Sequence, residues 1–151
     1  LPQVGMNREH RILNMKNKEL INIASSVINP KKLKEGLVGD VGCALLSSTG
    51  KIYTGVCVGI HSNGYCAERV AIAKMISDDH EFVIKKIVAT WKDEKGNTFV
   101  IPPCGHCRQC MHETDERNIE ETEVILSREK SVPLKELLPY YDWWQSSSPV
   151  S

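Results

Sequence analysis

Charge of one sign is what this chain lacks first: its 19 Lys and Arg are balanced by 19 Asp and Glu, and the sequence pI is about 7.1. Proteins that follow a nucleic-acid backbone concentrate basic residues, and here only Lys31, Lys32 and Lys34 cluster, so a polynucleotide substrate is disfavoured. No run approaches the roughly 18 uninterrupted apolar residues of a membrane helix. The opening residues also lack the charged, apolar and small-residue blocks of a secretory signal. A cytoplasmic protein is therefore expected, in which six cysteines stay reduced and their even number is no argument for disulfides. No internal repeat is visible. What is there, 151 residues that are 41% hydrophobic and 25% charged, suits one ordinary domain with one core.

Residues 18–144 are read as that domain, and 1–17 and 145–151 as flexible or extraneous polar ends. Leu20, Ile21, Ile23, Ala24, Val27 and Ile28 recur at helical spacing and predict a helix over 19–28, ended by Asn29-Pro30. Residues 41–47 are almost continuously apolar, as in a strand covered on both faces. Ser48-Thr49-Gly50 turns the chain into a β-branched and aromatic strand over 51–58, and a loop over 59–64 follows. The segment 65–77 predicts a helix that is apolar nearly all round, placed between layers and closed by Asp78-Asp79. A strand over 84–91, a turn over 93–97, a helix over 105–113 after Pro102-Pro103, a strand over 123–126 and a short helix over 134–138 complete the pattern. Strands interleaved with helices predict an α/β fold: three layers, α/β/α, with a central mixed sheet of about five strands.

Two short runs carry the chemistry. Cys66-Ala67-Glu68-Arg69 and Pro103-Cys104-Gly105-His106-Cys107-Arg108-Gln109 hold three thiols and one carboxylate with the spacings of a catalytic zinc site. Zn²⁺ held by three protein ligands keeps a fourth position open for water, which points to hydrolysis. All three thiols fall near predicted helix N-termini, where unpaired N–H groups and the dipole favour thiolates. Arg69, one turn after Cys66, is placed to offset the negative charge of three thiolates. Glu68 is placed to serve water as a proton shuttle without being a ligand.

Duller readings exist. A closed structural zinc site needs a fourth donor, for which His106 and Cys110 are the local candidates, but it gives Glu68 no task beside Cys66. Cys104, Cys107 and Cys110 imitate the start of an iron–sulfur run, yet Thr114 and Asp115 stand where the next Cys and Pro belong. A redox Cys-x-x-Cys leaves Cys66 unused. Cys43, Cys57 and Cys110 read as inert small hydrophobes. His61 reads as an exposed loop histidine beside the site.

These runs resemble the cytidine deaminase superfamily, and in particular its small zinc nucleoside deaminase branch, which includes cytidine and blasticidin S deaminases. The resemblance extends to Val41-Gly42-Cys43-Ala44-Leu45-Leu46, Gly50-Lys51-Ile52-Tyr53-Thr54-Gly55-Val56 and Glu136-Leu137-Leu138-Pro139, in the expected order over roughly residues 41–139. It implies one Zn²⁺ per chain on Cys66, Cys104 and Cys107, with Arg69 behind it. Glu68 would move the proton to the pyrimidine N3 and then to departing ammonia, while the Ala67 backbone and the Pro102 carbonyl would hold the ring and its amine. It further implies a small nucleoside-like substrate, no nucleic-acid or membrane partner, and a homotetramer or homodimer in which Tyr140, Tyr141, Trp143 and Trp144 either pack on their own domain or cap a neighbour's site.

The departures bear on substrate. Where cytidine deaminases read Asn-Val-Glu-Asn and grip the ribose, this chain reads Cys57-Val58-Gly59-Ile60, so the resemblance makes Cys57 a candidate for touching substrate, and Leu37-Val38-Gly39-Asp40 stands where the family places an aromatic residue. The expected substrate is thus an aminopyrimidine nucleoside, whether cytidine, deoxycytidine or a modified or antibiotic analogue. The alternatives are a blasticidin S-type antibiotic deaminase and a non-catalytic zinc-stabilised binding module.

Overall fold

A computed structural model of the protein describes residues 14–142 and 149–150. Its elements run α1 (Asn17–Ser26), β1 (Lys31–Leu33), β2 (Gly36–Ser47), β3 (Ile52–Ile60), α2 (Ala67–Asp79), β4 (Ile84–Lys92), β5 (Thr98–Ile101), α3 (Gly105–Thr114), α4 (Asn118–Glu121), β6 (Glu123–Ile125), β7 (Ser131–Pro133) and α5 (Leu134–Leu137).

Seven strands form one mixed sheet that is five strands wide, in the order β3-β2-β4-β6-β7, with β4 and β6 parallel and the other pairs antiparallel. The two additional strands prolong existing lines. β1 pairs with the first residues of β2 on the edge that β4 occupies further along, and β5 pairs with the last residues of β4 on the edge shared with β6.

Strand alternation sorts the core into two clusters. Cys43, Leu45, Ile87 and Val124 point to one face, where they pack with Ala71, Ile72 and Met75 of α2, Cys107 and Met111 of α3, Ile119 of α4 and Leu134 of α5. Ala44, Val88 and Ile125 point to the other, against Leu20 and Ala24 of α1. The sheet between helical layers agrees with the expected three-layer α/β architecture. Among the described residues, no helix is long and apolar enough to cross a membrane.

Several elements depart from expectation. β2 begins at Gly36, not residue 41, because its early glycines serve a bulge: pairing to β3 jumps between Val38 and Gly42, and Gly39 takes a φ of +78° that side chains rarely adopt. β3 continues to Ile60, which shortens the loop after it. α2 is not apolar all round. Ala71, Ile72 and Met75 are buried, whereas Ala73, Lys74, Ser77 and Asp78 face solvent, so it packs on the sheet through one side. Asp78 and Asp79 extend it instead of closing it, and His80 caps it in the left-handed region at φ 53° and ψ 41°. β1, β5, β7 and α4 have three or four residues each, too few to show a period.

Residues 1–13 lie outside the described residues. So do Trp143, Trp144, 145–148 and 151. Asn17, assigned to the end segment on sequence, opens α1.

Candidate metal centre

Close contacts between backbones bring the two motifs together. Gly55 of β3 lies under the start of α2, where a Cβ would stand 2.6 Å from the Ala67 carbonyl oxygen and 2.7 Å from the Ala71 nitrogen. Just before that helix, Tyr65 bridges Val58 of β3, which sets Cys66 beside the sheet as the α2 N-cap residue. On the other side, Pro102-Pro103 ends β5 and Cys104 becomes the N-cap residue of α3, with Cys107 in its first turn. Arg108 ties this turn down: Nε donates to the Pro103 carbonyl at 2.9 Å and Nη1 to the Leu137 carbonyl of α5 at 3.1 Å.

The result is a cluster of three thiols. Cys66 Sγ is 3.7 Å from Cys104 Sγ, Cys104 Sγ is 3.5 Å from Cys107 Sγ, and all three lie within 4.8 Å of one another. None is in a disulfide. A tetrahedral metal with bonds of about 2.3 Å to sulfur has edges of about 3.8 Å, close to the spacings seen. The donor set therefore fits Zn²⁺, with Cys66, Cys104 and Cys107 as the residues that would hold it.

Electrostatics also call for a cation. Burial pushes the Cys104 thiol up, but the N–H groups of Cys107 and His106 and the two neighbouring thiols outweigh it and leave Cys104 below the ordinary thiol range. Burial raises Cys66. Burial, then the Glu68 carboxylate, hold Cys107 far above that range. Three thiolates at these distances repel, and a divalent cation removes the repulsion.

Glu68 is 5% exposed, and its Oε2 lies 3.7 Å from Cys107 Sγ. Burial pushes its carboxyl up from the usual range, against the pull of its own N–H and of Cys107. It is thus held beside the thiols without belonging to their donor group. Arg69 completes the surround. Its Nη2 donates to the Gly64 carbonyl at 3.1 Å, its guanidinium lies 5.6 Å from the Tyr65 ring centroid, and its buried Nε has no hydrogen-bond partner. Although burial works against its charge, the Cys66 side chain outweighs that and strengthens it.

The other predicted residues divide. Ala67 is fully buried at the start of α2, and Pro102 is exposed at the end of β5. Half-buried Cys57 packs with the α2 side of the sheet, and its thiol donates to Asp40 Oδ1 at 2.9 Å. His61 lies on the surface 3.2 Å from Glu35, and neither His106 nor Cys110 joins the thiol group. Cys43 is fully buried in the core. Tyr141 packs on its own domain, edge-on to His112 at 4.6 Å, whereas Tyr140 is 96% exposed.

Sequence reasoning missed Asp40 and left Arg108 without a task. Asp40 was visible only as one of four residues standing where an aromatic was expected. A concavity lined by Ile21, Ser25, Thr90 and Arg128 opens on the α1 face and holds none of the thiols.

Residues 15–121 match the family model described as the cytidine and deoxycytidylate deaminase zinc-binding region. A probable cytidine deaminase of Dictyostelium discoideum is 42% identical over 71 residues, 46% of this chain and 46% of that protein. A cytidine deaminase of Halalkalibacterium halodurans is 38% identical over 76 residues, 49% of this chain and 54% of that protein. The chain thus spans about half the length of the curated relatives it matches. Among solved structures, cytidine deaminase from Mycobacterium leprae superposes with a TM-score of 0.63 at 23% identity, over 81% of this chain and 96% of that one. That from Burkholderia pseudomallei gives 0.62 at 25% identity, over 83% and 98%. The likeness is one of fold.

Proposed function

From the premise that the chain belongs to the cytidine and deoxycytidylate deaminase zinc-binding family, we propose that it is a hydrolytic deaminase. It would convert an aminopyrimidine nucleoside, whether cytidine, deoxycytidine or a modified analogue, to the oxo form with release of ammonia. One observation carries this reading: a buried carboxylate, Glu68, stands 3.7 Å from a ligand thiol while remaining outside the donor group. A site that only stabilises the fold has no use for it.

When bound, Zn²⁺ supplies a Lewis acid that makes water a better nucleophile at neutral pH. Glu68 takes a proton as the water oxygen bonds to C4 of the pyrimidine, and delivers it to ring N3. A second proton passes by the same carboxyl to the exocyclic amine, the C4–N4 bond breaks, and ammonia leaves. The raised Glu68 carboxyl suits a group that must hold a proton between these transfers. Arg69 supports a negatively charged three-thiolate site by placing a cation behind it. The Ala67 backbone and the Pro102 carbonyl are assigned to the ring and amine, and Cys57 to the far end of the substrate.

Cytidine, deoxycytidine, cytosine, N4-substituted cytidines and blasticidin S, each followed by absorbance loss with metal content measured on the same sample, test the reading. No turnover of any of them by zinc-loaded protein defeats it. A homotetramer, or failing that a homodimer, goes with this reading, and a clean monomer in sedimentation at micromolar concentration removes that part.

A further inference from the structure

The bulge in β2 aims an acid at the same face of the sheet as the thiol cluster. Between Val38, paired with Val58, and Gly42, paired with Val56, three residues of β2 oppose the single residue Cys57 of β3. Such an insertion twists the strand and re-aims a side chain. The backbone needed for it is built in: Gly39 holds a φ of +78°, and a Cβ there would stand 2.3 Å from the Asn29 carbonyl oxygen.

The side chain so turned is Asp40, whose Oδ1 accepts from the Cys57 thiol at 2.9 Å. Cys57 lies two residues beyond Gly55 on the α2 side of β3, and the bridge between Val58 and Tyr65 brings Cys66 alongside it. Asp40 therefore lies on the face of the sheet that α2 and the thiol cluster share, one hydrogen bond from the residue that precedes the Val58–Tyr65 bridge. Burial and the Asp40 carboxylate keep Cys57 protonated. It fills one of the roughly four acceptor positions of that carboxylate. Among the described residues, no other side chain hydrogen-bonds Asp40, which is half-buried.

We propose that Asp40, braced by Cys57, is a specificity-determining residue that accepts hydrogen bonds from donor groups on the non-reacting end of the substrate. Hydroxyls and an ammonium or guanidinium group share this chemistry. The inference rests on the deaminase reading above and adds the residue that selects the substrate. A purely structural Asp40 would brace the bulge and leave selectivity alone.

The test compares kcat/KM for cytidine, 2′,3′-dideoxycytidine and 5′-amino-5′-deoxycytidine in wild type, Asp40→Asn and Asp40→Ala, with zinc content and melting temperature alongside. If hydroxyls are read, Asp40→Ala loses at least tenfold of the preference for cytidine over the dideoxy analogue, chiefly through KM. If a cation is read, Asp40→Asn loses at least tenfold on the amino analogue and little on cytidine. Preferences unchanged in both variants overturn the inference, whatever happens to stability. Failure of wild type to turn over any nucleoside overturns the deaminase reading, and this inference falls with it.

Discussion

The carboxylate of Glu68 and the sulfur of Cys107 lie 3.7 Å apart although 39 positions separate them in the chain. Neither reaches the other through its own helix. α2 is set by the contact of Ala67 and Ala71 with Gly55, and α3 by the break at Pro102-Pro103 and the clamp from Arg108. Glu68→Gln keeps the shape and the hydrogen-bonding reach of the side chain but cannot carry the proton. Its kcat is expected to fall by about 10²–10⁴, with zinc still near one per chain. A variant that lost zinc and activity together would show Glu68 acting on the metal instead.

Chelation should loosen the protein as well as silence it, since Cys66, Cys104 and Cys107 join two helix starts that no disulfide holds. At a metal concentration about a thousandfold above its Kd, binding adds roughly 4 kcal/mol of stability. For a domain of this size that amounts to more than about 8 °C in melting temperature. Calorimetry before and after chelation, with zinc added back, measures it, and an unchanged melting temperature would count against a metal bound through these thiols.

Gly55 makes a sharper test of how the helix is placed. A methyl group there would meet the Ala67 carbonyl at 2.6 Å and the Ala71 nitrogen at 2.7 Å, both backbone atoms that cannot swing aside. Gly55→Ala is expected to cost about 1–3 kcal/mol and to lower kcat by shifting Glu68 relative to the thiols. Denaturant unfolding and single-turnover kinetics separate the two effects; wild-type values in both would mean that α2 is held elsewhere.

What the sequence revealed follows from the range of each interaction. Cys66, Glu68, Cys104 and Cys107 sit in two short runs whose spacing is dictated by helix starts, so their grouping is readable within a few residues. The long central strands were equally plain, because residues 42–47 and 87–90 are buried on both faces. Asp40 could not be read in this way. Its direction depends on a bulge whose register is fixed by β3, and on Asn29 lying against Gly39. Arg108 acts through Leu137, 29 residues away. For α2, composition misled: alanines are tolerated on either side of a helix, and only packing showed that Ala73 faces out while Ala71 faces in.

Away from the thiols, one hydroxyl serves two acids, and this makes a pH prediction. Tyr53 Oη lies 2.5 Å from Asp79 Oδ2 and 2.8 Å from Glu81 Oε2, while Lys51 Nζ is 3.3 Å from Asp79 and Thr49 donates to Glu81. The Tyr53 hydrogen bond, then Lys51, hold Asp79 below the usual carboxylate range. Burial raises Glu81, but Thr49 and Tyr53 outweigh it and leave that group low as well. A carboxyl lowered by folding contributes stability at pH values above its unfolded pKa, here about 3.9 for Asp and 4.3 for Glu, and loses it as pH falls through the folded value. Stability should therefore decline as the pH drops below about 4.5. Tyr53→Phe removes the shared donor, so its melting temperature at pH 7 is expected to fall by about 2–4 °C, and its decline on acidification to be shallower. Melting curves from pH 7 to 3 for both proteins decide the matter: parallel profiles would mean that the Tyr53 hydroxyl does not lower these two acids, whatever its effect at neutral pH.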